Sequence, residues 1–455
     1  MLSQIKILER ILYKKYPSSK VYLVGGAVRD KLMKRVACDL DVVVTGVPKD
    51  QLEKILAGLG ALRLVGKSFG VYKWNDVDIA IPRRETGWGT GARRDVTVQS
   101  DHTLSIEKDL ERRDFTINAI AYDMRNKLYI DPHDGRRDIQ NKIIRTVGDP
   151  HERFTEDNSR LLRALRIAIE LNFEIEPKTR KIISQMIAKA KNVTKEIAAT
   201  EIVKAISASP EAALKLFNST RLIPVLFPEL ALMQKCKQPK KWHSEGTVWT
   251  HTLLALRELE KNRKHPYDPT LILALILHDS GKVQTRKRRG NKITFYNHAT
   301  VGARIARRMI KRLKLESAGV EKEQASWLIK HHMIAFSGDP KKLRNTTIER
   351  YFLSDRYPSE HLMTMIECDS RASVPLSPDR DNLHGLSIIK KRIAEIKKKP
   401  PKALLNGEEI MTILNIKPGV EVGKVIARLR EAQLSGRVNT KLEARKFLQK
   451  LSVKS

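Results

Sequence analysis

The segment from Leu23 to Val44 constrains this chain more than any other. It reads Leu-Val-Gly-Gly-Ala-Val-Arg-Asp over 23–30 and Cys-Asp-Leu-Asp-Val-Val-Val over 38–44. The apolar runs at 21–24 and 40–44 predict two short strands, with a helix starting near Gly26 between them. Adjacent glycines after a strand let the backbone turn sharply and approach a ligand closely. A helix beginning there offers unpaired N–H groups to a phosphate. Asp39 and Asp41 lie two apart, so on a strand both side chains face the same way. Two carboxylates on one face can hold Mg²⁺ between a hydroxyl and a triphosphate. A predicted third strand, 77–81, brings Asp78 as a weaker candidate for the same cluster. Singly, a Gly-Gly is a turn and an Asp-x-Asp a solvated strand end; the order strand, turn, helix, strand gives them joint meaning.

At 455 residues the chain exceeds what one core usually serves, so two to four domains are expected. Apolar residues make up 41% but aromatics only 5%, so the cores must be largely aliphatic. The formal charge of +34 favours a polyanionic partner, whether RNA, DNA or an anionic membrane, although a Lys-rich solvated surface gives the same count. Cys38, Cys236 and Cys368 form no Cys-x-x-Cys pair, which argues against a disulfide framework or zinc ribbon and suits a reducing cytoplasm. The first twenty residues are charged throughout and lack a signal-peptide core; they read as an amphipathic helix. The longest purely apolar run, 271–277, is too short to span a bilayer.

Along the chain, an α/β block extends to about Gly148-Asp149-Pro150. Within it, 83–109 reads as a mobile Gly-, Arg-, Thr- and Asp-rich loop, and about 111–130 as a helix leading into a strand. Helical periodicity follows, strongest at 156–171, and continues to about 232. The stretch 234–241 looks like a linker, a second helical block spans 243–375, and Lys-Lys-Lys-Pro-Pro-Lys at 397–402 marks a boundary before a small basic tail.

Two further clusters suit nucleotide binding. In Leu-Glu-Arg-Arg-Asp-Phe-Thr-Ile-Asn-Ala at 110–119, Arg112 and Arg113 can clamp phosphates, while Asp114 and Asn118 share a helix face if the segment is helical. In Glu-Asp-Asn-Ser-Arg-Leu-Leu-Arg-Ala-Leu-Arg at 156–166, Asp157, Arg160, Arg163 and Arg166 recur every three residues. An acid and an arginine on one rigid face can read a base edge by accepting from and donating to it. A helix with internal salt bridges would show the same pattern.

These motifs in series, together with Asp-Pro-His-Asp-Gly-Arg-Arg-Asp at 131–138, resemble the class II CCA-adding enzyme and bacterial poly(A) polymerase family over roughly 18–235. The resemblance implies an α+β fold. A polymerase-β-like nucleotidyltransferase head with a small mixed sheet (1–150) would precede a helical RNA- and nucleotide-binding neck (151–235), an HD domain (236–400) and a C-terminal basic tRNA-binding unit (401–455). It implies that Asp39 and Asp41 bind catalytic Mg²⁺, and that Gly26 and Arg29 contact the incoming nucleotide. Arg113 and Asp114 would touch its phosphate and ribose, and Asn118 belongs to the same motif. Asp157 and Arg160 would select CTP and then ATP, Arg163 and Arg166 would support the triphosphate, and the 83–109 loop would serve the switch from C to A. The chain departs from the family at 197–206, Ile-Ala-Ala-Thr-Glu-Ile-Val-Lys-Ala-Ile, where the Arg of a usual Glu-Arg pair buttressing the base-selecting helix is missing. That puts fidelity in question more than chemistry.

In the second helical block, His251, the pair His278-Asp279 and Asp369 follow the order of the HD phosphohydrolase superfamily, which they resemble. The resemblance makes these four the metal ligands, and His298, His331, His332 and Lys282 candidates for a second metal or for substrate. Mixed nitrogen and oxygen ligands suit Ni²⁺, Mn²⁺, Fe²⁺ or Mg²⁺ over structural zinc. The segment 404–440 resembles the family's tRNA-binding tail.

The expected function is untemplated addition of CCA to the tRNA 3′ end from CTP and ATP, with a phosphohydrolase activity at the HD domain. Poly(A) or partial CC- or A-addition is the alternative. An HD phosphodiesterase or phosphatase fed by an RNA-delivering front half, and a catalytically dead RNA binder, are the alternatives of other classes. The expected partners are the tRNA acceptor end and the two nucleotides, in the cytoplasm, with no membrane and no obligate protein partner.

Overall fold

A computed structural model describes residues 2–36, 40–64, 71–87, 96–240, 243–261, 268–290, 292–335, 340–354, 357–374, 382–398 and 403–452. Asp39 and Cys38 lie outside the described residues, as do 88–95 of the expected mobile loop and most of the 397–402 boundary. The chain divides into two compact units, one of 1–228 with 313–318 and one of 229–312 with 319–455.

The first unit begins with helix α1 (Leu2–Lys15), whose Ile5, Leu8 and Leu12 are fully buried at helical spacing. Next come β1 (Lys20–Val24), α2 (Gly26–Leu32), β2 (Leu40–Thr45), α3 (Lys49–Leu59), β3 (Leu62–Leu64), β4 (Val71–Trp74) and β5 (Val77–Ala80). The hairpin β6 (Arg83–Gly87) and β7 (Val96–Ser100) and the short helix α4 (Ile106–Glu111) follow. The strands β8 (Ala121–Asp123) and β9 (Tyr129–Ile130) complete a seven-stranded sheet in the order β3-β4-β5-β2-β1-β8-β9. Only β2 and β5 pair in parallel; the other neighbours run antiparallel. Aliphatic side chains from α1, α3 and the central strands form the main core, as the shortage of aromatics requires.

The antiparallel register places Val24, at the end of β1, opposite Asp41, at the start of β2. The parallel register places Asp78 beside Asp41. Gly25 continues from Val24 with φ of 67°, a backbone state that favours glycine. The glycine turn and the carboxylates therefore share one end of the sheet because of strand direction.

Helices take over with α5 (Gly135–Asn141), α6 (Pro150–Glu156), α7 (Ser159–Leu171), α8 (Pro177–Met186), α9 (Lys195–Ala208), α10 (Pro210–Ser219), α11 (Leu222–Leu226) and α12 (Pro228–Met233). Asp149 caps α6 by accepting from the His151 and Glu152 amides, with Pro150 at the first helical position.

Three local expectations are corrected. Two parts of the 83–109 stretch are the paired strands β6 and β7, and 106–111 is helical; alternation in Val-Thr-Val is the strand signal that Gly and Arg content masked. Segment 111–130 does lead into strands, β8 and β9, but its expected helix is only the single turn 116–118, so Asp114 and Asn118 share no α-helical face, although Asn118 Nδ2 still reaches Asp114 Oδ1 at 3.4 Å. The helix expected over 156–171 is broken: α6 ends at Glu156 and α7 begins at Ser159, with Asp157 extended between them.

In the second unit, α13 (Val248–Lys261), α14 (Pro269–Leu277), α15 (Lys282–Thr285), α16 (His298–Leu313), α17 (Lys322–His331), α18 (Asn345–Ile348), α19 (Ser359–Ala372) and α20 (Asn382–Lys398) surround the histidine cluster. The expected linker at 234–241 is pinned within this unit: Cys236 and Gln238 are buried, and the Gln238 amide donates to Gly246 O. Three tail helices, α21 (Gly407–Leu414), α22 (Val420–Leu434) and α23 (Lys441–Ser452), bury a separate core around Ile410, Leu429 and Leu448. Glu431 of α22 accepts from the amides of Asn345 and Thr346 at the start of α18.

Candidate nucleotide-transfer and metal sites

At the open end of the sheet, a Cβ placed on Gly25 would lie 3.1 Å from Arg113 Nη1 and 3.2 Å from Asp41 Oδ2. Only a bare backbone lets the arginine and the carboxylate close in from both sides. Asp41 and Arg113 therefore face one space, with Gly26 and α2 beginning beside it.

Arg113 is positioned by a residue that motif reading missed. Asp109, completely buried on α4, binds Arg113 Nη2 at 3.0 Å and Arg112 Nε at 2.9 Å. Burial works to raise its carboxyl, but the two guanidinium groups outweigh burial and hold it below its ordinary value. The signal was present in sequence: Asp109 precedes the two arginines by three and four positions.

Arg29 Nη1 donates to Asn118 Oδ1 at 3.0 Å and its Nε to Asp30, joining two of the expected nucleotide contacts into one network. Asp114 and Arg163, expected as separate contacts, form an ion pair at 2.6 Å. Burial opposes the Asp114 charge, but Arg163, Arg160 and the Phe115 amide keep its carboxyl low.

Asp157 and Arg160, the pair expected to select the base, are restrained. Asp157 Oδ1 accepts from the Ser159 amide at 2.8 Å, while Arg160 pairs with Glu156 at 2.6 Å and donates to the Arg112 carbonyl. Arg166 departs from its expected place on the triphosphate: its guanidinium binds Glu201 of α9 and Glu170 of α7, both at 2.5 Å. Glu201 thus reaches α7 directly, without the arginine that the sequence lacks at 197–206.

The Asp-Pro-His-Asp-Gly-Arg-Arg-Asp motif supports this region from behind. A Cβ on Gly135 would lie 2.2 Å from the Thr116 carbonyl oxygen, so glycine alone fits. Asp138 accepts from Thr116 Oγ1 at 2.7 Å and from Arg145 Nε at 3.1 Å.

In the second unit, His251, His278, Asp279, Asp369, His298 and His332 converge, all buried. His251 Nε2 lies 2.8 Å from Asp369 Oδ1, and His278 Nε2 lies 3.4 Å from Asp279 Oδ2. The other Asp279 oxygen lies 3.4 Å from His298 Nε2 and 3.8 Å from His332 Nε2. His278, His298 and His332 each engage the carbonyl three residues back through Nδ1, which turns Nε2 inward. The groups His243–Glu245–His251, His251–His278–Asp369 and Asp279–His298–His332 each bring three ligand atoms within 4.8 Å of one another. His278 Nε2 and Asp279 Oδ1 are buried without a hydrogen-bond partner among the described residues, which is the state of atoms shaped for a cation. Burial opposes charge on His251, but its bonds to Asp369 and Glu245 push it up to about 9. His332, by contrast, is pushed down by burial to about 4.

Lys282 joins the cluster through an ion pair with Asp279 at 2.6 Å and a bond to Gln238. His331 does not: its ring packs against Trp327 and Tyr351 and its Nδ1 meets the Trp327 carbonyl. Adjacent helical residues diverge by about 100°, so only one of His331 and His332 can face inward. Two residues outside the expected set, His243 and Glu245, stand directly behind His251. A Cβ on Gly281 would fall 2.0 Å from the His298 carbonyl oxygen, so this glycine allows α16 to approach the His-Asp turn.

Comparison with known proteins gives matches over the regions that carry these two centres. Residues 21–145 match the poly A polymerase head domain, 172–233 the probable RNA and SrmB-binding site of polymerase A, and 243–366 the HD domain. The A-adding tRNA nucleotidyltransferase of Deinococcus radiodurans is 32% identical over 76% of this chain and 79% of its own. The multifunctional CCA proteins of Shewanella frigidimarina and Pasteurella multocida are 34% and 35% identical, over 70% and 71% of their lengths. Among solved structures, the Bacillus stearothermophilus CCA-adding enzyme in complex with CTP shares the fold with a TM-score of 0.68 at 23% identity, over 99% of this chain and 98% of its own. The Thermotoga maritima CCA-adding enzyme complexed with tRNA gives 0.62 at 19% identity, over 98% and 95%.

Proposed function

From the premise that the chain belongs to the tRNA nucleotidyltransferase and poly(A) polymerase family, we propose that it adds CCA to the 3′ end of tRNA from CTP and ATP. The observation that carries this is the gap at Gly25, held open between Asp41 and Arg113 at the end of the sheet. Asp41, with Asp39, would hold Mg²⁺, which supplies charge neutralisation and activates the attacking hydroxyl. Arg113, oriented by Asp109, would meet nucleotide phosphate, and the paired Asp114 and Arg163 would meet its ribose and triphosphate. Asp157 and Arg160 present the acceptor and donor that choose the base, and Gly26, Arg29 and Asn118 line the same site. Family matches over 21–145, 172–233 and 243–366 support the head, neck and HD parts of the proposed division, and the separate core of the last three helices supports the tail.

At the second centre His251, His278, Asp279 and Asp369 would hold a divalent ion, Ni²⁺, Mn²⁺, Fe²⁺ or Mg²⁺, that lowers the pKa of a water for attack on a phosphoester. His298 and His332 extend this set and Lys282 offers an ammonium to phosphate. The described cysteines Cys236 and Cys368 are unpaired thiols, and no described helix is long and apolar enough to cross a membrane; both fit a cytoplasmic enzyme.

The test is incubation with tRNA ending at the discriminator base, CTP and ATP, followed by sequencing of the ends. CCA ends support the proposal. Ends carrying only A, only CC, or long A tails replace it with the partial or poly(A) activity; the A-adding relative makes A-only addition the sharpest competitor. Asp41→Ala should abolish addition, whereas Asp279→Ala should spare it and remove metal-stimulated phosphatase activity.

A further inference from the structure

Among the four inward-facing histidines, His251 is held differently. His278, His298 and His332 engage neutral backbone carbonyls through Nδ1. His251 Nδ1 instead lies 2.9 Å from Glu245 Oε1. The helical carbonyl it would otherwise use, Val248 O, already accepts from Thr252 Oγ1 at 2.9 Å. Glu245 is itself fixed, since Oε1 also meets His243 Nδ1 at 2.7 Å and Oε2 accepts from the Val374 amide at 3.2 Å. Its side chain is 3% exposed.

A buried carboxylate behind a ligating imidazole fixes the tautomer, makes the ring a stronger donor and adds negative charge. Among the described residues, the group His251–His278–Asp369 receives that support, whereas the rings of Asp279–His298–His332 are backed by neutral carbonyls. Lys282, 2.6 Å from Asp279 Oδ2, works against a cation on the side of Asp279 that faces His278, so the added charge there has something to overcome.

We propose that Glu245, instead of ligating an ion with His243 and His251, is a positioning residue that makes the two inner metal-binding groups unequal: the His251–His278–Asp369 group takes a divalent transition ion first and tightly, and the Asp279–His298–His332 group takes a second ion weakly. The inference rests on the metal reading of this cluster. It assigns the order of filling, and with it the residues that hold the ion present at limiting metal.

Calorimetric titration of the full chain with Ni²⁺ in excess Mg²⁺ tests both. Two separate steps are expected for the unaltered protein. Glu245→Gln removes the charge at almost constant shape and should weaken the first step about 10- to 100-fold while leaving the second unchanged. Glu245→Asp, which retains the charge, should restore part of the tight step, and His332→Ala should abolish the second step alone. The step that each variant retains shows that the unit carrying the cluster has folded. If Glu245→Gln leaves the first step unchanged, or weakens both steps equally, the assignment to Glu245 is overturned. No Ni²⁺ binding by the unaltered protein overturns the metal reading and the proposal with it.

Discussion

Arg163 and Asp114, far apart in sequence and on different elements, meet at 2.6 Å. The pair locks the start of α7, the helix proposed to select the base, to the loop that carries Arg113. Asp114 is largely buried, whereas the Arg163 side chain is 46% exposed, so solvent screens one partner and shields the other poorly. Arg163→Ala should therefore cost about 1–2 kcal/mol of stability, less than a fully buried pair, while leaving Asp114 unbalanced. Denaturant unfolding measures the first effect. Nucleotide addition should fall through a raised KM for both CTP and ATP; an unchanged KM would separate Arg163 from the nucleotide.

Gly25→Ala places a methyl group 3.1 Å from Arg113 Nη1 and 3.2 Å from Asp41 Oδ2, on backbone with φ of 67°. The strain itself is small, about 1 kcal/mol. Displacing Asp41 and Arg113, the two groups proposed to face the transferring phosphate, by even a few tenths of an ångström is more serious, because misplacement of about 1 Å costs on the order of 100-fold in rate. A folded protein with near-normal melting and a rate reduced by about two orders of magnitude is expected, read by single-turnover addition of one C.

Acid should loosen the head through Asp109. Its carboxyl is held below the ordinary 3.8 by Arg113 and Arg112 against the opposing effect of burial. A depressed carboxyl contributes its full stabilisation above that ordinary value and loses it as pH falls through the lower native one. Asp109→Asn should cost about 3 kcal/mol at neutral pH, since it strands two arginines, and should flatten the fall in stability below pH ~4. Unfolding curves across that range decide the point, and an unaltered acid slope would count against it.

Glu201→Ala should affect accuracy more than speed. Glu201 holds Arg166 at 2.5 Å and so braces α7 from α9. Without it the helix bearing Arg160 loses a support, and discrimination against UTP and GTP should fall several-fold while the rate of correct C addition changes little. Misincorporation counted by sequencing tRNA ends provides the measurement, with Glu201→Gln as the intermediate case.

The sequence by itself determined the order of elements and the chemistry available. The Gly-Gly turn, Asp41 at a strand start, the arginine-rich motifs and the His-Asp pair were all legible, because local conformational preference and side-chain type need no distant partner. Strand direction then put Val24 opposite Asp41 in a register that pattern alone leaves open. Only the tertiary structure decided which charges are occupied with one another. It turned Arg166 toward Glu201, paired Arg163 with Asp114, buried Asp109 beneath two arginines and set Glu245 behind His251. It also chose His332 over His331, since periodicity says that adjacent side chains diverge but not which one faces inward. The reason is physical: the contacts that settle a buried charge join residues from separate elements, at distances of a few ångströms that depend on how those elements pack, and packing is a property of the whole chain rather than of any segment.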